Sequence, residues 1–361
     1  MKWLGDESLD HLQRLLDLPD LGGTRYELLE PLGRGGMATV HRAFDRELHR
    51  PVALKVLNTA VADEQTQARL RQEAQILARI EHPGIVPVHD LGLLPDGRWF
   101  YAMREVRGRR LDQVVGEGAT QSERLRIFGR ICEAVAFAHA HGVIHRDLKP
   151  ENVMVGSFGE VFVLDWGVAK VLQSGGGPAP DQEKPSGGGS ISPSAEVVTP
   201  EEALRTSEPA ASCEMKGVVA ATRHGTIIGT RGYMSPEQER GEVDAVDQRS
   251  DVFSLGGILQ FAMTGAVPAS PAGEWSGRPP VHRTLRAICA RACASEPGQR
   301  YATVLLLMED VNSYLQKLPV AADPENWWRK LRRIAAKHRT ALLLVLAYVV
   351  VRLAILLTRG I

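Results

Sequence analysis

A single lysine stands inside an apolar run, Val52-Ala53-Leu54-Lys55-Val56. An ammonium group in such a strand requires an anionic partner, and a phosphate oxygen together with a carboxylate would serve. Glu73, in Arg71-Gln72-Glu73-Ala74 on the helix that follows, is the candidate carboxylate. Farther on, Val143-Ile144-His145-Arg146-Asp147-Leu148-Lys149-Pro150-Glu151-Asn152-Val153 sets a carboxylate and a carboxamide five residues apart on a loop after a helix. Asp147 can accept a proton from a hydroxyl or orient that hydroxyl, and Asn152 can hold a magnesium ion. Asp165, in Asp165-Trp166-Gly167 after the apolar run Val161-Phe162-Val163-Leu164, offers a second metal ligand. Magnesium is held by a few carboxylate oxygens while substrate phosphates complete its octahedron. Metal ions and a lysine around a triphosphate neutralise charge as the terminal phosphoryl group moves. The run Leu32-Gly33-Arg34-Gly35-Gly36-Met37-Ala38-Thr39-Val40 would let a hairpin backbone approach phosphates closely and cradle them with N–H groups. Taken alone, that run reads equally well as an ordinary glycine-rich turn.

These groups need elements that bring them together. From Tyr26 to about Val106 the pattern is strand-like, with one helix near 62–80, and from about Leu111 to Leu318 helices dominate. That order predicts an α+β fold in two lobes, a small β-rich one and a larger helical one. Residues 1–24 are an acidic extension in which Leu9, Leu12, Leu15 and Leu16 fit one amphipathic helix. Residues 173–221 are expected to be a disordered insert, because Gly175-Gly176-Gly177-Pro178 and Pro185-Ser186-Gly187-Gly188-Gly189-Ser190 leave little apolar surface to offset ordering entropy. The chain has 361 residues with 44% hydrophobic, enough for a sizeable core, and 43 basic against 43 acidic residues argue against a nucleic-acid partner. Its four cysteines form no CxxC pair, and Cys289 with Cys293 reads better as buried packing than as half a metal site. The N-terminus lacks the apolar run of a signal peptide, so the main body is expected in the cytosol.

Taken in order, these motifs resemble those of the eukaryotic-like protein kinases, over residues 25–317. The bacterial membrane-attached serine/threonine kinases are the most similar group, on the Gly35-Gly36-Met37 loop, His82-Pro83-Gly84-Ile85-Val86 and Gly232-Tyr233-Met234-Ser235-Pro236-Glu237-Gln238. The resemblance implies a protein-kinase fold that uses ATP with Mg²⁺ (or Mn²⁺), with serine- and threonine-bearing proteins as substrates and self-association for trans-autophosphorylation. It places Leu32, Gly33, Gly35, Gly36 and Ala38 in the loop over the phosphates. Val40 and Ala53 would pack on the adenine with Met154 beneath it, Met103 would be the gatekeeper, and Arg104, Glu105 and Val106 the hinge. Lys55 would contact the phosphates and pair with Glu73. Asp147 would be the catalytic base or hydroxyl orienter, Lys149 would stabilise the transferred phosphoryl, and Asn152 and Asp165 would bind Mg²⁺.

The same resemblance separates substrate classes. Lys149, two residues after Asp147, and Thr230 are features of serine/threonine members. Arg146 is implied to await a phosphorylated activation loop, with Thr222 and Thr226 the expected phosphorylation sites. Asp251 is expected to cap the catalytic-loop backbone and Glu237 to pair with Arg300, both structural roles. The pattern is departed from at Ala38, where a third glycine is usual, and at Trp166, where phenylalanine is usual and where a larger ring must pack near Leu77. The stretch between Gly265 and Arg283 is short and rich in Pro, Gly and Ser, which puts peptide docking in doubt but not phosphoryl transfer.

Residues 318–339 form a basic linker, and 340–358 are expected to be one transmembrane helix. Arg329, Lys330, Arg332, Arg333, Lys337 and Arg339 on the N-terminal flank would place the kinase domain in the cytoplasm and attract membrane lipid. An amphipathic helix lying on the surface is the rival reading. Two functions of other classes also compete. A pseudokinase scaffold should lack a catalytic group, yet Lys55, Asp147, Asn152 and Asp165 are all present. A small-molecule phosphotransferase would lack Thr230 and Ser235-Pro236-Glu237.

Overall fold

In the computed structural model the described residues are 18–59, 61–166, 170–171, 232–242, 244–268, 281–323, 348 and 351–352. The chain divides into two units, residues 1–172 with 222–361, and residues 173–221. The second unit, and with it the expected disordered insert, lies outside the described residues, as do residues 1–17, Thr222, Thr226, Thr230 and most of the 265–283 stretch.

The N-terminal part is one antiparallel sheet. Its strands are β1 (Tyr26–Arg34), β2 (Ala38–Asp45), β3 (Arg50–Leu57), β4 (Val88–Leu93) and β5 (Trp99–Arg104), in the order β1-β2-β3-β5-β4. β1 forms one edge, and its register shifts around Pro31, a residue with no N–H to give to a ladder. β3, rich in Val and Leu, lies inside the sheet, and its pairing sets Lys55 opposite Val40 on one side and Tyr101 on the other. Ala53 likewise lies opposite Met103.

The expected helix near 62–80 is α1 (Glu64–Arg79). It starts at Asp63, whose carboxylate accepts the Thr66 N–H at 2.7 Å. Leu70, Glu73, Ala74 and Leu77 repeat at helical spacing and form its buried face. Glu73 is therefore an acid on an apolar stripe, which is tolerable only with a cation facing it.

The helical part follows, with β6 (Gly108–Arg110), α2 (Leu111–Gly116), α3 (Gln121–Ala140), β7 (Val143–Ile144), β8 (Val153–Gly156), β9 (Val161–Val163), β10 (Lys170–Val171), α4 (Pro236–Glu239), α5 (Gln248–Thr264), α6 (Arg283–Ala292) and α7 (Val304–Leu315). β6, β8 and β9 make a small sheet, and β7 pairs with β10. At Gly108 a Cβ would collide with the Val155 carbonyl oxygen, so only glycine fits where β6 meets β8. α5 is buried on every face from Ser250 to Met263 and ends at Gly265 in the left-handed region, φ 74°. Cys132, Cys289 and Cys293 are buried thiols, and burial pushes that of Cys293 up to about 12. They therefore act as packing groups; Cys213 lies outside the described residues.

The transmembrane expectation is corrected. Among the described residues no helix is long and apolar enough to cross a membrane. The single-pass topology of 340–358 and the orientation read from it fall with it, and nothing supports the lipid partner. Of that segment only residues 348, 351 and 352 are described, and there Arg352 Nε lies 3.3 Å from Tyr348 Oη on an exposed helical face. The physical reason is visible in this pair, since an arginine costs about 2.5–3.5 kcal/mol at a bilayer centre. The apolar run is also short, about 25 Å of helix against a core of about 30 Å.

Candidate active site

The sheet and α1 bring the first group of charges together. Lys55 Nζ lies 2.7 and 2.9 Å from the two carboxylate oxygens of Glu73 and 3.2 Å from Asp165 Oδ1. Burial alone would push the lysine pKa down, but the charges of Glu73 and Asp165 outweigh it and hold the ammonium above its ordinary value. Asp165 shows the converse. Burial raises its carboxyl, and the Lys55 ammonium more than reverses that, leaving it below the usual carboxylate range. Tyr101, opposite Lys55 on β5, donates its hydroxyl to Glu73 Oε1 at 2.8 Å. The ion pair is thus closed, with a third group fixing the acid.

The loop after β7 carries the second group. Lys149 Nζ lies 2.7 Å from Asp147 Oδ2, and Asn152 Nδ2 donates to the Asp147 carbonyl at 2.8 Å. Asp251, wholly buried on α5, holds this loop from behind. Its Oδ2 accepts the His145 N–H at 2.8 Å and its Oδ1 the Arg146 N–H at 2.9 Å. His139 Nε2 adds a contact to Oδ2 at 2.7 Å. Burial would raise the Asp251 carboxyl, but the His139 hydrogen bond and charge keep it low. His145 accepts the Asp147 N–H at Nδ1 (3.2 Å) and meets the Leu164 carbonyl through Nε2 (2.9 Å), a pair of bonds that one neutral tautomer satisfies.

Leu164 joins the two groups. Its N–H donates to the Asn152 carbonyl at 2.8 Å, and it directly precedes Asp165. Asp165 itself has φ 58°, a left-handed conformation that costs a non-glycine residue energy and marks a constrained site. Trp166 is fully buried, donates Nε1–H to the Val163 carbonyl at 3.2 Å and lies 4.6 Å from the His145 ring. It belongs to the same buried cluster as Leu77.

The remaining sequence candidates line the β-rich part and its exit. Leu32, Gly33, Gly35 and Gly36 are exposed at the β1–β2 turn, Ala38 is buried and Val40 half-buried. Ala53 is buried, and Met103, Glu105, Val106 and Met154 are half-buried. Glu105 is tied by Arg42 Nε at 3.0 Å, while Arg42 Nη1 also reaches Glu30 at 2.9 Å, so β1, β2 and the residue after β5 are linked by one guanidinium.

The donor set suits magnesium. Asn152 spends its amide nitrogen on Asp147, which leaves the amide oxygen to ligate. Asp165 engages Lys55 through Oδ1, and no hydrogen bond from a described residue reaches Oδ2. One carboxylate and one carboxamide form an incomplete, all-oxygen set, as fits a cation whose remaining ligands are water and phosphate. Among the described residues no cluster of three or more His, Cys, Asp or Glu makes a self-sufficient metal site. Sequence reasoning missed Tyr101, His139, the two bonds of His145 and Gln238, whose Nε2 donates to the Arg146 carbonyl at 2.7 Å.

Comparison with known proteins agrees. Residues 26–186 match the protein kinase domain. Serine/threonine-protein kinase PknB of Mycolicibacterium smegmatis is 35% identical over 308 residues, which is 80% of this chain and 42% of that protein. Serine/threonine-protein kinase PknD of Protochlamydia amoebophila is 29% identical over 323 residues, 81% of this chain and 30% of that protein. The chain thus spans less than half the length of these relatives. The solved kinase domain of Mycobacterium tuberculosis PknI aligns with a TM-score of 0.54 at 24% identity, over 82% of this chain and 99% of that domain, a likeness of fold. Lobes, clamped loop and relatives lead to one conclusion: the chain carries a protein kinase domain of the eukaryotic-like bacterial serine/threonine kind.

Proposed function

We propose that this chain is an ATP- and magnesium-dependent serine/threonine protein kinase that transfers the γ-phosphoryl group of ATP to protein hydroxyls, including its own. The observation that carries this reading is the closed Lys55–Glu73 pair beside Asp165, tied through Leu164 to the loop that holds Asp147, Lys149 and Asn152. Lys55 neutralises phosphate oxygens, with Glu73 and Tyr101 keeping its ammonium in place. Asp147 orients the attacking hydroxyl and takes its proton. Lys149, 2.7 Å from that carboxylate, is placed to offset charge on the moving phosphoryl. Asn152 and Asp165 would hold magnesium, which supplies positive charge along the triphosphate. Val40, Ala53, Met103, Glu105, Val106 and Met154 would enclose the adenine, below a loop of Leu32, Gly33, Gly35, Gly36 and Ala38.

Autophosphorylation has its own support. Arg146 has φ 71°, and its buried Nε and Nη2 find no hydrogen-bond partner among the described residues. Burial lowers its pKa, only partly offset by Asp251. A phosphate on Thr222 or Thr226, delivered by a second copy of the chain, would satisfy that guanidinium. The scaffold reading has no comparable support, because no catalytic group is missing.

The decisive experiment incubates the purified chain with labelled ATP and Mg²⁺, beside Asp147→Asn and Lys55→Met. Phosphoserine or phosphothreonine should accumulate on the wild type and almost none on either variant. A wild type that takes up no label, or variants that match it, would sink the proposal.

A further inference from the structure

Asn58, the residue after β3, is bound to the glycine-rich turn along most of its length. Its backbone N–H donates to the Met37 carbonyl at 3.0 Å. Its Nδ2 donates to the carbonyls of Gly35 and Gly36 at 3.0 and 3.2 Å. Its Oδ1 accepts the Thr39 hydroxyl at 2.6 Å. The Gly35 and Gly36 carbonyls, which can only accept, decide which way the amide lies, with its NH₂ toward the turn and its oxygen toward the Thr39 hydroxyl.

Peptide geometry gives these bonds a consequence. In a planar trans peptide the C=O and the following N–H point in opposite directions. Holding the carbonyls of Gly35, Gly36 and Met37 on the Asn58 side therefore turns the N–H groups of Gly36, Met37 and Ala38 away from it. Successive N–H groups of a turn can serve as donors to an anion. The Gly35 N–H is not part of it, because it donates to the Ala38 carbonyl at 2.9 Å and closes the turn.

We infer that Asn58 is a positioning residue that pre-orients the three N–H groups of Gly36, Met37 and Ala38 toward the phosphates of ATP. This deepens the kinase reading and rests on it. Asn58 touches no nucleotide in this scheme. Its work is to hold the turn in the conformation that phosphates require, so that binding need not also order a glycine-rich backbone.

The test measures the affinity of the full chain for Mg·ATP and for adenosine by calorimetry, in the wild type, Asn58→Asp, Asn58→Leu and Thr39→Val. Asn58→Asp keeps the shape but aims an acceptor at two carbonyl oxygens. Mg·ATP affinity should fall roughly tenfold or more in the Asn58 variants and less in Thr39→Val, while adenosine affinity stays within about twofold. Unchanged Mg·ATP affinity overturns the inference. So does an equal loss for adenosine, which is the mark of a generally loosened sheet. Thr39→Val decides the matter if the Asn58 variants do not fold. A wild type that binds neither ligand removes the kinase reading, and the inference with it.

Discussion

Glu237→Gln should destabilise this chain by about 3 kcal/mol near neutral pH, and by progressively less as the solution is acidified. The Glu237 carboxylate sits against the Arg300 guanidinium at 2.7 and 2.8 Å, and Ser250 Oγ donates to it at 2.6 Å. Both charged side chains are essentially sealed from solvent, with 2% and 0% exposure. Burial pushes the carboxyl pKa up, yet the Arg300 and Ser250 hydrogen bonds outweigh it and lower the pKa from 4.5 to about 2. At about 1.4 kcal/mol per pKa unit the shift corresponds to about 3 kcal/mol, near the lower end of the ~3–5 kcal/mol lost when one partner of a buried pair is removed. The folded-state pKa is depressed, so this stabilisation is complete above the unfolded value of 4.5 and is lost as pH falls through about 2. Urea denaturation of both proteins at pH values from about 7 down to about 2.5 reads the difference directly. A gap that does not narrow on acidification, or that is under about 1 kcal/mol at neutral pH, would refute the reasoning.

Three further outcomes are expected. Asp251→Asn should lower phosphotransfer by roughly tenfold or more in the labelled-ATP assay, because an amide NH₂ cannot accept all the donors now satisfied at 2.7–2.9 Å by the two carboxylate oxygens. Trp166→Phe should keep activity but lose about 2 kcal/mol in denaturant titration, from the unfilled volume and the lost bond to Val163. Gly108→Ala should lower the thermal midpoint by several degrees, because its methyl group meets the Val155 carbonyl and β6 must move away from β8.

The parts legible in the sequence were those that break a pattern. Lys55 interrupts an apolar strand and Glu73 an apolar helix stripe, and the structure sets their charges 2.7 Å apart. Asp147, Asn152 and Asp165 stood out by spacing, and the structure draws them together through Leu164. The division into strand-rich and helix-rich parts was legible because hydrophobic period changes near residue 110, whereas two- and three-residue strands such as β7 and β10 carry no period at all. Tyr101 looks like any core aromatic on a strand, and only folding brings its hydroxyl to Glu73. His139 meets a partner 112 positions away, and Asn58 resembles an ordinary turn residue. The C-terminal segment misled because its apolar length was weighed above the cost of Arg352 within it.

The candidate reactive groups all lie at or before Asp165, yet the loop that carries Asp147 is held by Asp251 and Gln238, and α4, which carries Gln238, is anchored through Glu237 to Arg300. A polypeptide is made from its N-terminus, so on the ribosome every reactive side chain emerges well before the residues that clamp it. A nascent chain therefore holds its candidate reactive groups before their clamp, which is complete only once Arg300 has been made. Fragments that stop short of Arg300 would lack that clamp and are expected to transfer no phosphoryl group.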